Sequence, residues 1–146
     1  MKIGRILTLV SVVLLAQMGA AQGWQEPERG SATRSDLMNA IRPHAEWALG
    51  APVEFVVNDL RVAGGIAFAS LAPQRPGGAV IDPARTPAAM RGQFDPIYMD
   101  GVALQVLYVQ SGALWVALHW EFGATDVWWA DPSLCLRFSP VIPEVC

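Results

Sequence analysis

The chain has 146 residues, of which 53% are hydrophobic and 16% are charged, and its formal net charge at pH 7 is −3. This length is typical of one domain with a single hydrophobic core. The mildly acidic composition lacks the basic stripe that nucleic-acid binding requires, so no nucleic-acid partner is expected.

The first 21 residues have the three-part pattern of a secretory signal peptide. Lys2 and Arg5 precede an apolar run over residues 6–16, and small residues that end at Ala21 follow it. The run is shorter than the roughly 20 residues that cross a bilayer. We therefore expect cleavage after Ala21 and a mature protein that is periplasmic or secreted.

Cleavage would also change the charge of the protein. Lys2 and Arg5 would be lost, which leaves eight arginines, thirteen acidic residues, no lysine and a net charge of −5. The mature chain has no polybasic cluster for anionic lipid, and no cysteine near the cleavage site could carry a lipid. No membrane anchor is expected in the mature form.

Residues 22–34 are polar and lack periodicity, with Trp24 as their only large apolar residue. Such a composition predicts a flexible lead-in. Residues 35–146 contain no repeat at a fixed period and are expected to form one domain.

A helix is predicted at the start of this domain. Thr33 or Ser35 can cap it, and Gly50 followed by Pro52 can end it. Pro43 falls inside the pattern and predicts a kink or a split into two pieces. The residues with helical spacing are Leu37, Ala40, Ile41, either His44 or Ala45, and Ala48.

A first β-hairpin is predicted after the helix. Residues 53–62 alternate, with Val53, Phe55 and Val57 on one face. Gly64-Gly65 then separates this strand from a second strand over residues 66–71.

A second hairpin is predicted over residues 102–109 and 113–122, joined by a Ser111-Gly112 turn. Strict alternation would give the last strand two distinct faces. The inner face is expected to be apolar, so that the helix can cover it. These faces are Leu114, Val116, Leu118 and Trp120 on one side, and Trp115, Ala117, His119 and Glu121 on the other.

Residues 72–100 lie between the hairpins and are rich in proline and glycine, which nearly excludes regular structure. Long loops in compact domains are often functional, so this segment is one candidate binding surface. Alternatively, it is a connector that Ile81, Met90 and Phe94 pack onto the sheet. The tail beyond Trp129 is also predicted to be irregular.

This order of elements predicts an α+β fold. One kinked N-terminal helix is expected to pack on an antiparallel sheet of four to five strands, built from the two hairpins. The long proline- and glycine-rich loop over residues 72–100 connects the hairpins.

Cys135 and Cys146 are the two cysteines of the chain. An even number of cysteines in an exported protein predicts a disulfide, which would hold the tail against the body. Zinc binding is the alternative, but the pair lacks a third cysteine and a nearby histidine. No metal site is expected.

Several catalytic and cofactor motifs are absent from the sequence. It has no glycine-rich phosphate loop, no dinucleotide fingerprint and no GxSxG or SxxK nucleophile motif. Its two histidines cannot form a multi-histidine zinc site. No cofactor is expected, and no catalytic residue is assigned.

His119, Glu121 and Asp126 lie within eight residues of one another. His119 and Glu121 are two residues apart on a predicted strand, so they share a face. A histidine beside a carboxylate can act as a general base, which would suit a hydrolase. Alternatively, His119 and Glu121 lie on a solvated face of the strand, and Asp126 forms a hydrogen bond with the backbone of its own turn.

Trp128, Trp129 and Arg75 complete the candidate binding residues. Adjacent strand residues face opposite sides, so one indole could be exposed to stack on a sugar or anchor a partner. Arg75 precedes a Pro76-Gly77-Gly78 turn and could bind a carboxylate or phosphate. Alternatively, both tryptophans pack the core and Arg75 pairs with an acid of this domain.

The chain resembles a group of small exported bacterial proteins of unknown function. The resemblance spans most of the mature chain and implies a helix-plus-antiparallel-sheet domain, but it implies no activity and no catalytic residues. The segments that carry it are Leu37–Pro43, Pro52–Val57, Pro73–Gly78 and Gly123–Val127.

The leading hypothesis is a non-enzymatic binding domain whose partner is a periplasmic protein or a cell-wall component, for example a cell-wall hydrolase that it inhibits. The long loop and the turn over residues 123–129 would supply the surface. One alternative is a hydrolase that uses His119 with Glu121 or Asp126. Another is a small-molecule carrier whose pocket, between helix and sheet, is lined by Phe55, Phe68, Leu104 or Trp120. The sequence does not predict an oligomeric state.

Overall fold

The computed structural model describes residues 23–146. The predicted signal peptide, residues 1–21, lies outside the described residues. Within residues 23–146, none of the helices combines the length and the apolar character that a membrane crossing requires.

The described residues form an α+β fold, as predicted. The α-helices are α1 (Ala32–Leu49), α2 (Pro87–Met90) and α3 (Pro132–Phe138), and the strands are β1 (Glu54–Ala63), β2 (Ile66–Gln74), β3 (Leu104–Ser111) and β4 (Leu114–Phe122). Short 3-10 turns lie at Pro83–Arg85, Pro96–Tyr98 and Trp128–Ala130.

The strands form one antiparallel sheet in the order β1-β2-β3-β4, which confirms the two predicted hairpins. Gly64 and Gly65 join β1 to β2 with φ angles of 56° and 109°. Two successive positive φ angles favour glycine, as in the tight hairpin turns that match strand twist. The second turn is Gly112-Ala113, one residue later than predicted.

Helix α1 begins earlier than predicted. Ser31, rather than Thr33 or Ser35, is its cap, and the Ser31 hydroxyl accepts a hydrogen bond of 3.3 Å from the Arg34 N–H. Alanine and arginine are good helix formers, so the extra first turn has no intrinsic penalty. Pro43 lies within a continuous helix, and Gly50 ends it as predicted.

The main core lies between α1 and one face of the sheet. The predicted helix stripe is confirmed, because Leu37, Ile41, Ala45 and Ala48 are buried. On the sheet side, Leu104, Val106 and Tyr108 of β3 are also buried. Burial raises the pKa of the Tyr108 phenol, so it stays neutral.

The C-terminal tail covers part of the opposite face of the sheet and builds a second core. Phe138, Val141 and Ile142 pack there against Phe68 and Leu107. The prediction of an irregular tail is therefore wrong.

Helix α3 within this tail has an ordinary capping signal. Asp131 caps it by accepting a 2.8 Å hydrogen bond from the Ser133 N–H, and Pro132 occupies the first turn. The predicted Cys135–Cys146 disulfide is confirmed and closes the tail on itself.

Arg61 of β1 joins both ends of the described residues to the sheet. Its guanidinium lies 4.7 Å from the centre of the Trp24 ring and forms ion pairs with Asp59 and Glu144, each at 2.6 Å. Gln25 adds two backbone hydrogen bonds of 2.9 Å with Val62. The lead-in predicted over residues 22–34 thus makes fixed contacts, and its last three residues belong to α1.

Strand β4 contains a bulge that changes its predicted faces. Leu107 opposes His119 whereas the next residue, Tyr108, opposes Ala117, so Leu118 is the extra residue. A bulge shifts the alternation by one residue, which moves side chains beyond it to the other face. Ala117 and Trp120 consequently both pack on the main core.

The predicted inner face of β4 is therefore wrong. Of its four members, only Trp120 packs against the core, whereas Leu114, Val116 and Leu118 are exposed. Trp115 also packs against the main core, although strict alternation placed it with His119 and Glu121.

Candidate ligand-binding cleft

The connection between β2 and β3 contains capped helical turns, so the predicted lack of regular structure is wrong in part. A hydrogen-bonding residue precedes proline at each turn, in Asp82-Pro83, Thr86-Pro87 and Asp95-Pro96. Capping side chains followed by proline are a helix-start signal, and here the sequence shows it three times.

Thr86 is fully buried and holds α2 in place. Its hydroxyl donates to the Pro83 carbonyl at 2.8 Å and accepts from the Ala89 N–H at 3.2 Å. The connector interpretation holds for Ile81, which is buried, and for Phe94, whose ring lies 5.7 Å from that of Phe122. It is wrong for Met90, which is exposed.

Gly123, directly after β4, fixes the end of this connection. Its carbonyl accepts from the Asp100 N–H at 2.8 Å, and its N–H donates to the Ala103 carbonyl at 2.6 Å. Its φ is 61°, and a Cβ at this position would lie 2.7 Å from the Gly101 carbonyl oxygen. Only glycine fits without displacement, so Gly123 holds the connection against the end of β4.

A cleft of about 470 Å³, which we call the aromatic cleft, lies between α1, the end of β4 and residues 93–99. Its volume is in the range of small-molecule sites. The lining residues are His44, Trp47, Ala48, Gln93, Phe94, Asp95, Tyr98, Met99, Trp120, Glu121, Phe122, Gly123, Ala124 and Thr125.

Some aromatic rings of the cleft are used in packing and others are largely exposed to solvent. The His44 and Trp120 rings lie 4.1 Å apart with an interplanar angle of 32°. Trp47 is 67% exposed and Tyr98 is 76% exposed. The guanidinium of Arg91 lies 4.5 Å from the centre of the Trp47 ring. Trp47 and Tyr98 therefore present aromatic surface to solvent at a concave site.

The cleft is acidic as well as aromatic. Glu121 is an exposed residue, but its partial desolvation, together with the charge of Asp126, raises its pKa. The ion pairs of the described chain are Arg34–Glu26, Arg61–Asp59 and Arg61–Glu144. Hence, within residues 23–146, neither Asp95 nor Glu121 has an ion-pair partner. The lining residues include no lysine and no arginine.

Of the six predicted binding residues, only Glu121 lines the aromatic cleft. Of the four residues predicted to line a carrier pocket, only Trp120 does so. Asp126 is exposed and acts on Glu121 through its charge. Both predicted surface segments do meet here, because residues 93–99 of the long loop and 123–125 of the turn share the cleft.

Arg75 serves the fold. Its guanidinium donates to the carbonyls of Leu49 at 2.7 Å and Pro52 at 3.0 Å, and also to that of Gly50. These bonds satisfy free carbonyls at the end of α1, where positive charge is favourable. The interpretation in which Arg75 pairs with an acid of this domain is therefore wrong.

His119 is exposed on the sheet face opposite the main core, where its strand partner is Leu107. It shares a small surface depression with Trp128. Throughout residues 23–146, no ion pair joins His119 to Glu121 or Asp126. That same part of the chain contains no cluster of three or more metal-ligating side chains.

Trp128 and Trp129 lie in a 3-10 turn instead of a strand, so the prediction of alternating faces is wrong. Their rings are 5.8 Å apart and nearly perpendicular, at 86°, and Trp129 lies 5.8 Å from Phe68. Both indoles are half-buried and pack against the second core. This matches the alternative in which both tryptophans are used in packing.

The sequence analysis missed most aromatic residues of the cleft. Trp47 offered a signal, because it lies outside the helix stripe formed by Leu37, Ile41, Ala45 and Ala48. A tryptophan outside the buried stripe of an amphipathic helix must face solvent or a neighbour. His44 and Tyr98 carried no comparable signal.

A scan of protein-family models and searches of curated proteins and of solved structures found no match to this chain. The resemblance to small exported bacterial proteins thus stays a prediction.

Proposed function

We propose that this protein is a non-catalytic binding domain that works outside the cytoplasm. The aromatic cleft holds a small ligand, or an exposed group of a periplasmic protein or cell-wall component. The observation that carries this proposal is the exposure of Trp47 and Tyr98 at a concave site of about 470 Å³. Rings of this kind lose unfavourable contact with water when a ligand covers them.

The construction of the cleft also supports binding. His44 packs on Trp120 and Phe94 on Phe122, so both walls are held by ring contacts. Gly123 fixes residues 99–103 through two backbone hydrogen bonds. A site formed before the ligand arrives avoids the ordering cost that weakens binding by flexible loops.

Export is the second part of the proposal. It is supported by the predicted signal peptide and by the Cys135–Cys146 disulfide, since disulfides persist in oxidising compartments. N-terminal sequencing of protein from a periplasmic extract is expected to begin at Gln22. Recovery of the intact N-terminus from the cytosol, with both thiols free, would contradict this part.

Hydrolysis is a second candidate, and one observation favours it. The pKa of Glu121 is raised by partial desolvation and by Asp126, and a carboxyl group of this kind can act as a general acid. Under this candidate, Glu121→Gln would abolish turnover of cell-wall glycan fragments but retain binding. Under the leading proposal, the wild-type protein binds its ligand without turnover.

The binding proposal is tested by titrating the ¹⁵N-labelled protein with choline, N-acetylglucosamine and methyl glucoside. The side-chain N–H signals of its tryptophans are assigned by single Trp→Phe variants. We expect at least one probe to shift the Trp47 and Trp120 signals while those of Trp128 and Trp129 stay unchanged. If no probe shifts either cleft signal, or if shifts occur only at Trp128, the aromatic cleft is not the binding site.

A further inference from the structure

We propose that the aromatic cleft selects an organic cation, either a quaternary ammonium group or a primary alkylammonium like that of a lysine side chain. This inference rests on the proposed function and adds the chemical class of the ligand. The juxtaposition that carries it is the exposed ring of Tyr98 and the exposed part of Trp47, beside carboxylates that have no ion-pair partner within residues 23–146.

Trp47 and Tyr98 supply the aromatic surface of the cleft. The face of an aromatic ring is electronegative and attracts a cation at about 6 Å or less from its centre. Arg91 already uses Trp47 in this way, with its guanidinium 4.5 Å from the ring centre. Tyr98 is 76% exposed and remains open to a ligand.

Asp95 and Glu121 line the cleft and supply its negative charge. Asp95 uses one oxygen to accept a hydrogen bond of 3.2 Å from the Ile97 N–H, which leaves its charge uncompensated. Asp126 lies close enough to Glu121 to act on its ionisation. A bound cation would offset this negative charge, whereas an anionic ligand would meet repulsion from all three carboxylates.

Other charged groups near the cleft do not cancel the negative charge of these carboxylates. Arg91 contacts two lining residues, but its guanidinium is already held by the Trp47 carbonyl and the Gln93 side chain, each at 2.9 Å. The described chain as a whole carries eight arginines and thirteen acidic residues. An approaching cation is therefore favoured both by the local charge and by the net charge of the domain.

The test compares choline with 3,3-dimethylbutan-1-ol, which has the same shape but carries carbon in place of charged nitrogen. Calorimetry and the tryptophan N–H signals report binding to the full-length purified protein. We expect choline or n-butylammonium to bind about tenfold more tightly than the neutral isostere. Tighter binding of choline indicates a quaternary headgroup, and tighter binding of n-butylammonium indicates a peptide amine.

A matched pair of variants tests whether the carboxylates of the cleft contribute to cation binding. Glu121→Gln is expected to weaken cation binding several-fold and leave binding of the isostere unchanged. Glu54→Gln also removes one negative charge, but on β1 at the opposite edge of the sheet. It is expected to change neither the affinity for the cation nor the affinity for the isostere.

Three results would overturn the inference. Equal affinity for choline and the neutral isostere would make the cleft a plain apolar site, and binding of N-acetylglucosamine alone would make it a sugar site. In both cases the proposed binding function stands while the cation inference fails. If no probe perturbs the Trp47 and Trp120 signals, the inference and the proposed function fail together.

Discussion

The imidazole of His44 stacks on the indole of Trp120 with 4.1 Å between ring centres. This contact joins α1 to the edge strand β4, and both residues line the aromatic cleft. Because Trp120 is half-buried whereas Trp47 is 67% exposed, the two tryptophans of the cleft have different roles. Trp120 supports the wall, and Trp47 offers surface to a ligand.

This division of roles predicts opposite effects of truncation. Trp120→Ala removes packing against the main core and is expected to lower the free energy of unfolding by about 2 kcal/mol, less than for a fully buried tryptophan. Trp47→Ala is expected to change it by under about 1 kcal/mol and still weaken ligand binding. Urea unfolding followed by circular dichroism measures both. Equal destabilisation by the two variants would contradict this assignment.

Gly123 and Gly112 provide a second comparison, since their φ angles are 61° and 60°. A Cβ at Gly112 meets nothing within 4 Å, whereas at Gly123 it would lie 2.7 Å from the Gly101 carbonyl oxygen. Both alanine variants carry the same backbone strain of roughly 1–2 kcal/mol.

Only Gly123→Ala also displaces the connection at residues 99–101. We expect it to lose more stability than Gly112→Ala, by at least about 1 kcal/mol, and to lose ligand binding. Thermal unfolding and probe titration of the two proteins measure the difference. If the two variants behave alike, Gly123 is needed only for its φ angle.

Arg61 is expected to contribute to stability because it contacts both ends of the described residues. Arg61→Met removes its ion pairs with Asp59 and Glu144 and its stacking on Trp24. Both carboxylates are partly exposed, so the expected loss of unfolding free energy is about 2 kcal/mol. The Gln25 and Val62 amides should exchange hydrogen faster as the lead-in loosens.

The control for Arg61 is Arg85→Met, at an exposed arginine of the 3-10 turn before α2. That change is expected to leave stability and amide exchange near their wild-type values. A similar loss in both variants would show that the net charge, rather than the contacts of Arg61, is responsible.

Glu121 predicts a pH dependence of stability. Its folded-state pKa is raised by partial desolvation and by Asp126, so the folded protein binds this proton more tightly than the unfolded chain. The contribution to stability is complete below the ordinary pKa of glutamate, and it is lost as pH rises through the raised value.

Glu121→Gln keeps this side chain neutral at every pH. Its advantage in unfolding free energy over the wild type is therefore expected to grow between about pH 4 and about pH 7. Urea unfolding across this range measures it. A wild-type protein that gains stability over Glu121→Gln as pH rises would contradict the raised pKa.

The sequence predicted the elements whose patterns are local. The stripe on α1 identified buried side chains correctly, because one face of the helix must be apolar to pack. The predicted face of β1 also packs on the main core, where Phe55 and Val57 are partly buried. In β4 the same reasoning failed for Leu114, Val116 and Leu118, since the single extra residue at Leu118 reverses the faces relative to Trp120. The turns that begin at Pro83, Pro87 and Pro96 were missed although their capping signals are local.

The cleft could not be predicted in this way. Its residues come from three segments, 44–48, 93–99 and 120–125, that lie far apart in the sequence. Each side chain taken alone fits a packing role, and only the fold places them around one concavity. The sequence did indicate that the long loop and the turn after β4 matter, because both have irregular composition between regular elements.

The most direct test of the binding cleft compares choline binding to Tyr98→Ala and Ile97→Ala. These neighbours are 76% and 85% exposed, but only Tyr98 lines the cleft. We predict that Tyr98→Ala weakens binding by about tenfold, whereas Ile97→Ala stays within about twofold of the wild type. Choline binding that both variants retain at wild-type strength would contradict the assignment of the cleft as the site.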